Sequence, residues 1–418
     1  MFSSRRRTVL QSALAGAAGL SAFGVLPTTF RFRRAQAALK SMKITRVRFY
    51  ENPLSRPLFN QSKHIVTVET DAGITGIGEG GTADNVLRLA AFLIGQDANR
   101  IEEAWQYMYR GDFYPPGREK VHALGALDMA LWDIKGKALD VPVYELLGGL
   151  TRDSVECYAT GYPQKGTLKA AAAACMKDGY RAFRTAVVGP KDNMAVFNAR
   201  QAVDETVTHC TELRAGVGSK GDFCIDYHTR LDFPEAVRLS RLLLPLNPLF
   251  CEDLVRSENP GVYRELRSQV QVPIAVGEQF GDRWDINELI EGRLIDYSRV
   301  TIPNVGGITE MCKLAALCET HYVGLIPHFT GPVSVAALVH VVASFSGTAY
   351  MEMAGINQQT FAHLPKHYDF KSGRLFPNAR PGLGVELDTT TLKLAGEVTK
   401  PPADVHIYRR PDGSLTNW

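Results

Sequence analysis

Three carboxylates, Asp226, Glu252 and Glu278, stand 26 and 26 residues apart. Each closes a short apolar run: Phe-Cys-Ile-Asp226, Leu-Phe-Cys-Glu252 and Ile-Ala-Val-Gly-Glu278. An apolar run of this length bounded by polar turn residues reads as a buried strand. The spacing is that of one strand plus its returning helix in an α/β barrel. Three such units in succession would aim three acids at one site on the C-terminal strand ends, where barrel enzymes keep their chemistry. Hard oxygen donors suit Mg²⁺, which takes few carboxylates and leaves positions for substrate oxygens. One strand-end acid alone would read as a helix N-cap; three in phase point to a metal site.

Other side chains near the same strand ends could carry protons or charge. His228 lies two residues beyond Asp226, and strand alternation would place both on one face. An imidazole titrating near 6.5 suits acid–base work beside a metal. Arg184, in Arg181-Ala182-Phe183-Arg184-Thr185-Ala186, stays protonated near neutral pH. It is therefore a poor base, and either a fork for a substrate oxyanion or a partner in an ion pair across the barrel mouth. Tyr158, Tyr162 and Tyr227 also lie near strand ends, as candidate bases or as pocket wall.

The elements that must position these groups follow a regular order. Residues 42–81 alternate apolar and polar side chains, as in Ile65-Val66-Thr67-Val68-Glu69-Thr70, and turn at Asp71-Ala72-Gly73. That pattern predicts an antiparallel meander. Residues 84–147 have a helical period. From about Val155 strands and helices alternate, with strands expected near 155–160, 181–187, 223–227, 248–252, 273–278, 295–302, 323–328 and 348–353. Regular βα alternation argues a parallel barrel. The tail from about Phe370 is turn-rich and is expected to fold back over the N-terminal domain.

At the N-terminus, Ser4-Arg5-Arg6-Arg7-Thr8-Val9-Leu10 precedes an uncharged Ala/Gly/Leu stretch to Phe30, followed by Ala35-Gln36-Ala37. This resembles a twin-arginine export signal cut after Ala37, which would make the protein periplasmic. An uncleaved anchor and a chance basic tail are the alternatives, although an Ala/Gly stretch of this length barely spans a bilayer. Without residues 1–37 the chain carries 41 basic and 44 acidic residues, a balance that suggests neither nucleic acid nor a membrane surface as partner. Seven scattered cysteines with no CxxC pair read as buried thiols, not a disulfide framework.

The segments Ala126-Leu127-Asp128, Leu131-Trp132-Asp133-Ile134-Lys135-Gly136-Lys137-Ala138, Leu147-Gly148-Gly149 and Gly306-Gly307-Ile308-Thr309-Glu310 complete a pattern with the three acids. Over residues 42–418 the chain resembles the enolase superfamily, in its mandelate racemase/muconate lactonizing branch. The resemblance implies a modified (β/α)7β TIM-like barrel over 151–365 and an α+β capping domain over 42–150. A C-terminal segment, 366–418, would pack on the capping domain. It further implies Mg²⁺ on Asp226, Glu252 and Glu278, removal of a proton α to a carboxylate, and symmetric dimers or octamers. Chain length and stereochemistry of the substrate would depend on capping-domain loops near 51–63 and 80–85.

Within that branch many members carry Lys-x-Lys where this chain has Arg184 and Ala186, which argues against two-base racemases. Asp226-x-His228 resembles the sugar-acid dehydratases of galactonate and mannonate type, whose histidine protonates the departing β-hydroxyl. His328, in Pro327-His328-Phe329-Thr330-Gly331-Pro332, resembles their histidine base, but the aspartate that usually orients it falls at Thr301. Arg184 and Arg299 are similar to arginines of the mannonate type that hold substrate. The tyrosine base of that type has no counterpart here; Phe197 is the nearest ring downstream. Glu352 matches a glutamate that touches substrate, with a helix cap or ion-pair partner as its alternative.

The expected function is an Mg²⁺-dependent acid-sugar dehydratase giving a 2-keto-3-deoxy acid. Two alternatives remain open: a single-base epimerase or isomerase of a hydroxy or amino acid, and an exported sugar-acid-binding protein without turnover.

Overall fold

The computed structural model describes residues 40–53, 63–192, 194–355 and 360–417. The expected export signal, 1–37, and most of the 51–63 loop lie outside the described residues. Among the described residues no helix is long and apolar enough to cross a membrane.

The N-terminal part is an antiparallel meander of β1 (Ile44–Glu51), β2 (His64–Thr70) and β3 (Thr75–Glu79). Alternation predicts one buried face for β2, yet of its seven residues only Glu69 is partly exposed. The strand is covered on both sides. Val66 and Val68 enter a core with the helices Ala83–Leu93, Ile101–Arg110 and Arg118–Leu139. Ile65 and Ile77 belong instead to the core of the C-terminal part. Gly78 makes the first packing possible, because a Cβ there would lie 1.8 Å from the Ala126 carbonyl oxygen.

The C-terminal part is built on parallel strands paired in chain order: β4 (Val155–Thr160), β5 (Ala182–Ala186), β6 (Asp222–Asp226), β7 (Cys251–Glu252), β8 (Ile274–Val276), β9 (Tyr297–Ser298) and β10 (Gly324–Leu325). A further strand, β11 (Met351–Ala354), pairs back onto β4. The bridge Leu325–Ala349 joins β10 to the residues just before β11, which closes the ring. Tyr158, Ala182, Cys224, Phe250, Ala275 and Ile326 form a fully buried cluster, each from a different strand or strand extension, as expected of a barrel interior packed in layers. Several ladders are shorter than the apolar runs: 295–302 shrinks to Tyr297–Ser298 and 323–328 to Gly324–Leu325. The regular ladders end early there, but pairing continues beyond them: the Arg299 N–H donates to the Val276 carbonyl (2.7 Å), and Thr301 and His328 form an isolated parallel bridge.

The segment after residue 366 is divided. Strand β14 (Leu394–Val398) pairs with β1, and Gly382 hydrogen-bonds to Val141 and Val143. The hairpin β12 (Asp369–Lys371) and β13 (Arg374–Phe376), however, lies on β4 of the barrel. The cysteines are all free, and all but Cys312 are buried.

Buried carboxylates of the meander and its helices grip backbone amides elsewhere. Asp128 accepts from the Thr309 N–H (3.0 Å) at the start of the barrel helix Ile308–Thr320. Asp133 accepts from Ile77 (2.9 Å) and Leu383 (2.8 Å). Glu79, fully buried, accepts from Val333 (2.9 Å) and Ser334 (3.0 Å) in the first turn of Pro332–Ser344, four residues past His328. An acid is favoured there because unpaired N–H groups and the helix dipole converge. Gly331 leaves room for it, since a Cβ would fall 1.6 Å from Glu79 Oε1.

Burial pushes the Glu79 carboxyl up to about 7 despite those amides. A carboxyl raised in the folded state adds stability that is complete below its unfolded pKa and is lost as pH rises through the folded one. Thermal unfolding should therefore show E79Q losing less stability than the parent chain between about pH 5 and pH 8. Equal slopes would mean that Glu79 does not titrate in that window. E79A, which strips two buried amides of their acceptor, should lose on the order of 2 kcal/mol.

Candidate active site

The polar residues lie on the strands or within a few residues of their C-terminal ends. Arg184 lies on β5, Asp226 ends β6, Glu252 ends β7 and Glu352 lies on β11. Glu278 follows β8 by two residues, Arg299 follows β9 directly, and His228 and His328 sit on the turns after β6 and β10. These side chains form one network. Arg184 Nη2 donates to Asp226 Oδ2 (2.8 Å) and Glu252 Oε1 (2.9 Å), and its Nε donates to Glu252 Oε2 (2.9 Å). Arg299 reaches Glu252 (2.8 Å), Glu352 (2.6 Å) and Glu278 (3.5 Å). Glu352 also accepts from the Thr160 hydroxyl at 2.5 Å. Of the two readings of Arg184, the ion pair across the barrel mouth is therefore present.

The two histidines flank Glu278. His228 Nδ1 stands 4.0 Å from its Oε1 and His328 Nε2 stands 3.3 Å from its Oε2. His228 does not get there by strand alternation, because β6 ends at Asp226. A left-handed turn, with φ of +49° at His228 and +56° at Thr229, swings the imidazole back. Asp226 holds it through the His228 N–H (2.6 Å) and Nδ1 (2.9 Å). This bond gives Nδ1 the proton and leaves Nε2 for chemistry. It also raises the pKa of His228, against burial. His328 is buried, which pushes its pKa down although Glu278 pulls it up. Its Nδ1 faces Thr301 Oγ1 at 3.3 Å, the position where an orienting carboxylate was expected.

Asp253 was not singled out from the sequence, and the structure brings it in. It offers an oxygen within 4.8 Å of those of Asp226 and Glu252, all three being buried. Glu278 lies outside that close group and is held by Arg299 and His328. Burial, followed by the charges of Glu278, Glu252 and Asp226, pushes the Asp253 carboxyl well above its ordinary range. Burial likewise drives Glu252 to about 7 against the pull of Arg184 and Arg299. For Asp226, burial acts upward but His228 and Arg184 outweigh it, and the net direction is down. Glu352 is also lowered, because Arg299 and Arg184 outweigh its burial.

The donor set fits a hard divalent cation. Asp226, Glu252, Asp253, Glu278 and Glu352 converge on two guanidinium groups, so positive charge is short when all five are ionised. Asp253 Oδ2 is buried with no hydrogen-bond partner among the described residues. Oxygen-rich, electron-hard surroundings of this kind suit Mg²⁺ or Ca²⁺.

The three tyrosines do not supply a base at the mouth. Tyr227 hydrogen-bonds Ser240 (3.0 Å) and Tyr162 bonds Asp178, both away from the acids. Tyr158 is fully buried in the barrel interior against Phe250, and burial pushes its hydroxyl far up despite Arg299.

Comparison with known proteins places this geometry in context. Residues 53–148 match the mandelate racemase/muconate lactonizing enzyme N-terminal domain, and residues 167–391 match the enolase C-terminal domain-like family. The D-galactonate dehydratase of Ralstonia pickettii (strain 12J) is 36% identical over 395 residues, covering 90% of this chain and 100% of the relative. That of Xanthomonas oryzae pv. oryzae (strain PXO99A) is 37% identical over 395 residues, with the same coverage. Among solved structures, an enolase from Agrobacterium radiobacter proposed as a galactarate dehydratase, with bound Na and L-malate, superposes with a TM-score of 0.75. It is 29% identical, with 90% of this chain and 99% of that one covered.

Arg299 is fully buried against three carboxylates. Removing one partner of a buried ionic cluster leaves uncompensated charge, at a cost of about 3–5 kcal/mol. R299M should show that loss in its urea unfolding midpoint; a loss under about 1 kcal/mol would mean the acids are neutralised by other means.

Proposed function

This chain belongs to the mandelate racemase/muconate lactonizing enzyme family of the enolase superfamily, and from that premise we propose that it dehydrates acid sugars of the galactonate class. The reaction removes the proton α to the substrate carboxylate and the β-hydroxyl, giving a 2-keto-3-deoxy acid. The observation that carries this reading is the pair of imidazoles, His228 and His328, at the two oxygens of Glu278. One base and one acid at a single carboxylate-lined site are what an elimination requires.

Asp226, Glu252 and Glu278 would hold Mg²⁺. When bound, that ion supplies Lewis-acid stabilisation of the charge that develops on the substrate carboxylate as the α-proton leaves. The remaining work belongs to the side chains. His328, kept neutral by burial, takes the α-proton on Nε2; its Nδ1–H donates to Thr301 Oγ1, which fixes the ring. His228 gives the proton on Nε2 to the departing β-hydroxyl, while Asp226 on Nδ1 stabilises the imidazolium beforehand. The carbon–oxygen bond breaks as the carbanion electron pair moves in, water leaves, and the resulting enol tautomerises to the keto acid. Arg184, at the edge of the network, orients substrate oxygens; Arg299, expected from the sequence to hold substrate, is buried and instead holds Glu252, Glu278 and Glu352 in place.

We also propose that the chain acts as a homo-oligomer and reaches the periplasm by the twin-arginine route. The second reading is supported by Ser4-Arg5-Arg6-Arg7 and Ala35-Gln36-Ala37, and N-terminal sequencing of periplasmic protein would check it.

The test is incubation with Mg²⁺ and a set of acid sugars in D₂O, following keto acid and α-proton exchange together. Keto acid from one diastereomer is the expected result; exchange without keto acid would turn the reading to an epimerase. H228N should cut elimination by about 10²- to 10⁴-fold while exchange continues, because proton abstraction belongs to His328. H328N should lose both. Loss of exchange in H228N would reverse the two assignments.

A further inference from the structure

We propose that Asp253 is a fourth acidic member of the metal centre, giving a divalent cation an oxygen beside those of Asp226 and Glu252. The inference rests on the reading of the strand ends as a metal site, and extends it to a residue outside the evenly spaced set.

Adjacent residues on a strand point to opposite faces, so Asp253, directly after Glu252, ought to face away from the barrel mouth. It does not, because its φ is +45°. Aspartate tolerates the left-handed region better than most residues, but the conformation still costs energy and persists only where surroundings enforce it. Here both neighbouring strand ends do so. The Asp253 N–H donates to the Ala275 carbonyl at 3.0 Å, and its own carbonyl accepts from the Thr229 N–H at 3.0 Å. The second of these bonds joins the left-handed turn that carries His228 to the left-handed residue that carries this carboxylate. The two turns are one built feature.

What that feature delivers is a carboxylate without a protein partner. Asp253 is 2% exposed, and its Oδ2 is buried without a hydrogen bond among the described residues. Burying such a group unpaired is expensive, and evolution of a simple wall would have placed an apolar side chain there. Its oxygen instead comes within 4.8 Å of oxygens from Asp226 and Glu252. Two ligand oxygens on opposite sides of one ion stand about 4.2 Å apart for Mg²⁺ and about 4.8 Å for Ca²⁺, so all three can share a single cation. The missing partner and the excess negative charge have one remedy between them. Glu278, by contrast, already has Arg299 and His328 against it. Asp253 thus joins Asp226, Glu252 and Glu278, its oxygen lying beside those of Asp226 and Glu252 and Glu278 standing on the side of the histidines.

The experiment uses the full chain, stripped of metal, and Mn²⁺ alone as probe, read by titration calorimetry and by electron paramagnetic resonance of the bound ion. D253N keeps the shape and removes the charge. It should weaken Mn²⁺ binding by about 10- to 100-fold, the range for groups that tune a metal site, and alter the resonance of the ion that still binds. Its metal-free melting temperature should equal or exceed that of the parent chain, which separates lost ligation from lost folding. D253S serves as a second variant if D253N does not fold. A parent chain that binds Mn²⁺ together with a D253N that binds it within twofold would overturn the proposal and leave the metal reading standing. A parent chain that takes up no Mn²⁺ would overturn both.

Discussion

Like charges cannot be crowded in a low-dielectric interior without compensation, and the mouth of this barrel crowds five carboxylates. Asp226, Glu252, Asp253, Glu278 and Glu352 gather around Arg184 and Arg299. Buried ion clusters of this type seldom add net stability, because desolvation consumes the Coulombic gain. Their retention here is a matter of function: they hold potent charges at fixed distances before a substrate arrives, which is the arrangement that electrostatic catalysis requires. The barrel can be seen as the frame that keeps these groups from relaxing apart. Six strands contribute them, β7 giving both Glu252 and Asp253, and each strand is tied to the next through its backbone.

The ladder endings are as important as the ladders. Where β6 and β7 end, the chain turns within two residues. Asp226 leads into a left-handed His228 and Thr229, and Glu252 into a left-handed Asp253. Strain of this sort clusters at functional sites because packing elsewhere holds it in place. Here the hydrogen bonds from Asp253 to Ala275 and from Thr229 to Asp253 hold it.

Much of this was legible in the residues, and the remainder was not for identifiable reasons. The even spacing of three acids on apolar runs revealed the barrel because strand plus helix has a nearly fixed length. The motifs around Asp128 and Gly306-Gly307 pointed to the family, and their physical content emerged only with the fold: Asp128 receives the Thr309 amide. His228 was expected at the site for the wrong local reason, since a turn and not alternation brings it there. Asp253 was passed over because alternation assigns it to the other face, and a positive φ at a non-glycine residue leaves no mark in a sequence. The division of Arg184 between substrate fork and ion pair was equally hidden, because partners distant in the chain decide it. The meander of residues 42–81 was legible from its alternation, but alternation marks only one covered side of β2, and the second is added by the barrel.

The docking of Glu79 on the start of Pro332–Ser344 has a consequence for how such a chain can change over generations. The meander carries the acceptor, while the barrel carries the amides and the one glycine that makes room for it. A barrel grafted onto a foreign cap would bring a helix end with no acid to receive it, and a cap grafted onto a foreign barrel would bury an acid with nothing to hold. The two parts therefore form a single unit of inheritance: their loops are free to diversify around the mouth, but the seam between them has to be handed down whole.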